Sequence, residues 1–246
     1  MAYDPKSLDQ PFVALTAYDW GGDAAAFKPI DEAVVATHAD AAARADLETR
    51  LAALLGSGTS RACKEYVCRK LSLIGTAASV PALAALLPDQ DNSHMARFAL
   101  ERIGAPEAVD ALRKALATAA GDLKIGMISS LASRRDAASV PMLAELLGAG
   151  GPTAVAAAEA LGMIQSPEAI QALTAANAVA GDAVAAAVLD ARLACAESLL
   201  RQGKRAESLA IYKKLAADAV GKPAARTAAL SATRGIVACL DTTAPL

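Results

Sequence analysis

The chain has 246 residues, 54 % of them hydrophobic and only 3 % aromatic, with a net charge of −2. That supplies a buried core for one large or two small domains, and alanine, about a quarter of the residues, favours closely packed helices over a sheet of β-branched and aromatic side chains. The charge speaks against non-specific nucleic-acid binding, which needs clustered Lys and Arg, and four cysteines are too few for a disulfide framework.

The opening "MAYDPKSLDQPF" mixes charges and prolines where a secretory signal needs a basic start and an apolar run. The expected location is therefore cytoplasmic, unless a leader has been removed. The first thirty residues, including "TAYDWGGDAAAF", show no period and are expected to form a cap or an extended arm. "DEAVVATHADAAARADLETRLAALLGSG" then suggests one or two helices.

From there the sequence repeats. "SLIGTAASVPALAALL", "ERIGAPEAVDALRKAL", "ASRRDAASVPMLAELL" and "GMIQSPEAIQALTAAN" align without a gap, and the column Val80, Val109, Val140, Ile170 steps by 29, 31 and 30 residues. Leu83, Leu112, Leu143 and Leu173 form a second apolar column, and Leu71, Leu100, Leu131 and Leu161 a third further upstream. Each unit is thus a helical hairpin. Between its helices stand Thr76, Ala105, Asp136 and Ser166, three of them good N-caps, followed by Ala77, Pro106, Ala137 and Pro167; proline suits the first helical position because its missing N–H has no partner there. Pro81 and Pro141 fit less simply: either Ser79 and Ser139 are the caps, or the helix is kinked. Helices of about 12 to 15 residues are marginal alone, so neighbouring hairpins must stack.

Residues 59–180, through Ile74–Gly75, Ile103–Gly104 to Leu112 and Ile164 to Leu173, resemble HEAT repeats of the short bacterial type named after phycobilisome lyases. The resemblance implies an all-α fold, a right-handed α-solenoid of stacked hairpins. The third unit departs from the pattern, with Arg134–Arg135 where the others carry Ile–Gly or Ile–Gln. The expected organisation is a single domain over 1–246: a cap or arm at 1–40, HEAT-like repeats at 41–182, and at 183–246 a longer hairpin with a capping helix from Pro223. Gly203, Ser208 and Tyr212 fall where a tetratricopeptide hairpin has its turn glycine, small residue and aromatic, a weaker, single-unit similarity.

Catalytic chemistry finds little footing. His38 and His94 are the only histidines, neither in an active-site motif; there is no C-x-x-C, H-E-x-x-H or glycine-rich phosphate loop. HEAT-like di-iron hydroxylases carry repeated His-Glu pairs, whereas here His38 precedes Ala39 and His94 precedes Met95. Cys63 and Cys68, five residues apart on a helix, rise about 7.5 Å and point apart, so all four cysteines are read as packed, reduced thiols. No cofactor is expected. The longest charge-free run, Leu71 to Pro88, is interrupted by Gly75 and Pro81 and is not a membrane span.

Charge falls in bands. Residues 1–58 carry net −5, 59–135 net +4, 136–200 net −6 with a single basic residue, and 201–246 net +5. Such bands are either ordinary solvated helix faces or surfaces that dock a partner or order self-association. In the positive band, His94, Arg97, Lys124, Arg134 and Arg135 lie near the loops and first helices of adjacent hairpins, where successive repeats can line one surface. Arg134 and Arg135 break an apolar column and so stand out, although a pair of charges capping a neighbouring helix is an equal reading. Trp20, beside Tyr18, is either an exposed anchor or a plug on the first repeat. The expected function is a non-catalytic scaffold binding a protein or peptide, with no nucleic acid. A lyase-like or chaperone-like subunit handling a cofactor-bearing partner, or a spacer in a larger protein, is the alternative.

Overall fold

A computed structural model describes residues 4–56, 58–176, 182–220 and 226–241. Among these residues the chain is all-α, without strands. In chain order the helices are α1 (Asp9–Thr16), α2 (Lys28–Ala36), α3 (Ala41–Leu55), α4 (Arg61–Ile74), α5 (Val80–Ala84), α6 (Ser93–Leu100), α7 (Pro106–Thr118), α8 (Gly121–Ser133), α9 (Val140–Leu146), α10 (Gly151–Ile164), α11 (Pro167–Ala175), α12 (Asp182–Arg201), α13 (Arg205–Asp218) and α14 (Arg226–Leu240). They group into two compact units, Met1–Ser130 and Leu131–Leu246. The expected helix start at Pro223 lies outside the described residues.

In the first unit, first helices pack on first helices (α4 on α6) and second on second (α3 on α5, α5 on α7). The second unit repeats the arrangement with α10 on α12 and α9 on α11. The columns read from sequence explain why. Leu71, Leu100, Leu131 and Leu161, and equally Leu83, Leu112, Leu143 and Leu173, are all fully buried, so every hairpin offers its neighbours the same apolar stripes. Residues 4–30 are packed helix and turn, not an extended arm: Leu8, Phe12, Leu15, Phe27 and Ile30 are all buried.

The two awkward prolines find one solution. Residues Ala77–Ser79 and Ala137–Ser139 form single 3-10 turns, and the α-helix proper starts at Val80 or Val140, which places Pro81 and Pro141 in its first turn. Thr76 caps the first 3-10 turn, its hydroxyl accepting from the Ala78 N–H at 3.2 Å. Ser79 and Ser139 are not side-chain caps; their hydroxyls donate back to the carbonyls of Thr76 and Asp136. Ser166 caps α11 in the ordinary way, accepting from the Ala169 N–H at 3.2 Å, and Pro106 and Pro167 open their helices.

The glycine column behaves unexpectedly. Gly75 has an ordinary φ of −62°, while the residues aligned with it in later units, Arg135 and Gln165, have φ of 51° and 55°. Arg135 closes α8 in a Schellman turn: the Asp136 N–H donates to the Leu131 carbonyl at 3.1 Å and the Arg135 N–H to Ala132 at 2.9 Å. A side chain in the left-handed region costs about 1 kcal/mol relative to glycine. Arg135→Gly is therefore expected to stabilise the protein by about 1 kcal/mol, read as a higher midpoint in urea unfolding with an unchanged slope.

Candidate partner-binding site

The second helix of the first aligned repeat is truncated. After Ala84 the chain leaves the α-helix in tight turns, Leu86 and Leu87 donating to the carbonyls of Leu83 and Ala84, and Pro88 prevents resumption. Its neighbour α7 runs for 13 residues, so one flank of α7 has no full-length helix beside it. The result is a groove of about 750 Å³. Its walls are Val80, Pro81 and Ala84 on one side and Ala111 and Ala115 on the other, with the buried Leu87 and Met127 below. Glu107, Asp110 and Lys114 stand exposed along the rim on successive turns of α7. Chemically this is an apolar trough with a short charged edge, suited to an apolar stretch of polypeptide carrying a basic residue opposite Glu107 and Asp110.

None of the six residues singled out from sequence lines this groove. Trp20 is 57 % exposed, in the turn before the 3-10 turn that leads into α2. The Arg61 guanidinium lies 5.5 Å from its ring centre. With Tyr18, Phe27 and Tyr66 it lines a smaller pocket of about 230 Å³, and Phe27 meets both tyrosines edge-on at 4.9 Å. His94 is exposed in the first turn of α6, and Lys124 is half-buried on α8.

Arg97, expected on a shared outer surface, is instead turned into the first unit. Its guanidinium donates to the Gly126 carbonyl at 3.0 Å and to the Ser130 hydroxyl at 3.3 Å; Ser130 in turn donates to Glu101 at 2.7 Å. A Cβ on Gly126 would come within 2.6 Å of the guanidinium carbon, so this glycine is the seat on which Arg97 rests. Burial lowers the Arg97 pKa, and the Glu101 carboxylate works in the opposite direction. Arg134 and Arg135 belong to the second unit, half-buried and exposed respectively, at the turn that ends α8.

All four cysteines are buried free thiols. Burial pushes Cys68 to about 12 and Cys195 to about 11, which removes the thiolate that nucleophilic or redox chemistry requires.

Several polar residues that hold the repeats together carry no sequence motif. Glu48 is buried on α3 and accepts from the Thr76 N–H at 2.6 Å and the Ser79 N–H at 3.1 Å, satisfying orphan donors at the start of the next second helix. Arg44 donates to the last carbonyls of α4, Leu73 and Ile74, at 2.9 and 3.3 Å. Arg205 does the same for the end of α14, through Ala238 and Asp241. Arg192 is the most buried of these arginines and reaches the end of α11.

A protein of stacked HEAT-like hairpins is what this geometry defines. Segments 94–118 and 154–176 match the model of the PBS lyase HEAT-like repeat, and the chain carries repeats of that type. No curated protein matches it. Among solved structures it is similar to human deoxyhypusine hydroxylase in complex with glycerol, at 16 % identity over 94 % of this chain and 96 % of that one, with a TM-score of 0.37. It is also similar to an engineered protein at 18 % identity over 86 % and 97 %, with a TM-score of 0.42.

Proposed function

We propose that the chain is a non-catalytic repeat module that binds a protein partner through an apolar segment laid in the α5/α7 groove. The groove itself carries the reading: about 750 Å³ of mainly apolar trough, created by the early end of α5. Partly exposed small residues on its α7 wall would let a partner's larger side chains enter, and the charges at Glu107, Asp110 and Lys114 would fix its direction.

A displayed library of random peptides, selected on the wild-type protein and counter-selected on Ala111→Trp and Ala115→Trp, tests this. Both alanines are partly exposed, so the tryptophans fill the groove and leave the core alone. Enrichment of peptides with apolar residues at helical spacing and a basic residue at one end is the expected outcome, with at least tenfold weaker binding to either variant. Peptides that bind wild type and both filled variants equally would remove the groove from the account.

The match to the PBS lyase HEAT-like repeat supports a second reading, a lyase-like or chaperone-like subunit that handles a cofactor-bearing partner. In that case the apolar trough would shelter part of the partner's prosthetic group, and selection would yield no preferred peptide while the cofactor-bearing partner bound.

A further inference from the structure

We propose that this protein associates with a second copy of itself head to tail, α14 of one copy against the α1–α2 face of the next. The observations are independent of the groove. In α14 the residues packed inward are Ala228, Ala232, Gly235 and Cys239, a regular stripe on one side of the helix. The opposite side carries Leu230, Arg234 and Val237; the two aliphatic side chains are 65 % and 62 % exposed. A helix on the surface of a repeat protein ordinarily turns a polar face outward, and here an apolar–cationic–apolar row lies open instead.

The α1–α2 pair presents the matching chemistry. Phe12 and Leu15 of α1 and Ile30 and Ala33 of α2 point inward, and Val13 and Val35 are left 63 % and 75 % exposed. Glu32 is exposed one turn before Val35. By sequence the segments that carry these helices differ in sign: residues 1–58 hold 4 basic and 9 acidic side chains and residues 201–246 hold 8 and 3, net −5 and +5. Pairing α14 with α14 across a two-fold axis would bring like charge to like charge. Pairing it with α1–α2 sets Arg234 against Glu32 and aliphatic against aliphatic, a heterologous contact that leaves one face of each kind free at the two ends of every assembly.

Mixing two single variants tests this, because each lacks a different half of the contact. Val237→Asp removes the donor face and Val35→Lys the acceptor face; both side chains are exposed, so circular dichroism and melting temperature should match wild type. Sedimentation velocity at low salt is expected to show wild-type mass rising with concentration and falling back as salt is added. Either variant alone should run as a monomer at every concentration, and an equimolar mixture should give a species of twice the monomer mass and nothing larger. A wild-type protein that remains monomeric at millimolar concentration overturns the proposal. So does a Val35→Lys variant that associates like wild type, or a mixture that stays monomeric.

Discussion

Replacing Arg192 by alanine is expected to cost about 3–5 kcal/mol, the range for breaking a buried, hydrogen-bonded ion pair from one side. Its side chain is only 3 % exposed. The guanidinium donates to the carbonyls of Leu173 at 2.7 Å, Thr174 at 3.1 Å and Ala176 at 2.9 Å, and to the Asp218 carboxylate at 2.6 Å. One side chain thus satisfies the last turn of α11, which has no intrahelical donors of its own, and ties it to the end of α13. Alanine leaves a cavity, orphan carbonyls and a carboxylate with one cation fewer, and the three losses act together. Arg192→Lys should recover only part, because an ammonium cannot reproduce the planar fork that spans several acceptors. Urea unfolding followed by helix signal measures both variants.

The same contact gives a pH dependence with a defined sign. Burial pushes the Asp218 carboxyl up, but hydrogen bonds and charge from Lys214 and Arg192 outweigh it and hold the pKa below the ordinary carboxylate value. A depressed native pKa adds stability that is complete above the unfolded-state value, about 4, and is lost as pH falls through the lower native one. Stability of wild type relative to Arg192→Ala should therefore be constant near neutrality and shrink below about pH 4.

Arg192 also shows where sequence reading stops. Repetition exposed the leucine columns because each hairpin must bury the same stripe, and the same logic placed Thr76, Ser166, Pro106 and Pro167 at helix starts. Residues that act once, across a junction, have no such echo. A signal for Arg192 did exist: it is the only basic residue between 136 and 200, set among "VLDARLACA", and a single cation in an apolar helix is costly unless it is paired. For Arg97 the reading went the other way, since a charge near several others suggests a surface until Gly126 is seen beneath it. The groove was hidden more deeply. It depends on how far α5 extends before Pro88, a boundary the periodicity does not fix, because the apolar pattern of "SVPALAALL" continues past the last α-helical residue. Arg134–Arg135 was legible as an exception in its column; its backbone consequence, a left-handed residue at a helix end, was not.

Gly235→Val is expected to destabilise the protein by about 3 kcal/mol or more, beyond the middle of the range for overpacking a core. Tyr212 of α13 is 2 % exposed and lies flat against the backbone of α14 where Gly235 has no side chain. A Cβ there would overlap the hydroxyl end of the ring, 2.5 Å from Cε2, and the ring is itself buried, with Ser208 one turn earlier on α13 fully buried and donating to the Ala196 carbonyl of α12 at 2.8 Å. A branched side chain at 235 must therefore push α14 off α13 or expel the tyrosine. Glycine inside a helix costs about 1 kcal/mol relative to alanine, which makes its presence in the middle of α14 a packing requirement. The control is Tyr212→Ala, which loses ring burial but opens the seat. In that background Gly235→Ala should be neutral or slightly stabilising, whereas in wild type it should destabilise, a coupling of at least about 1 kcal/mol in a double-mutant cycle. Additive effects of the two substitutions would mean that α14 is not held by the ring.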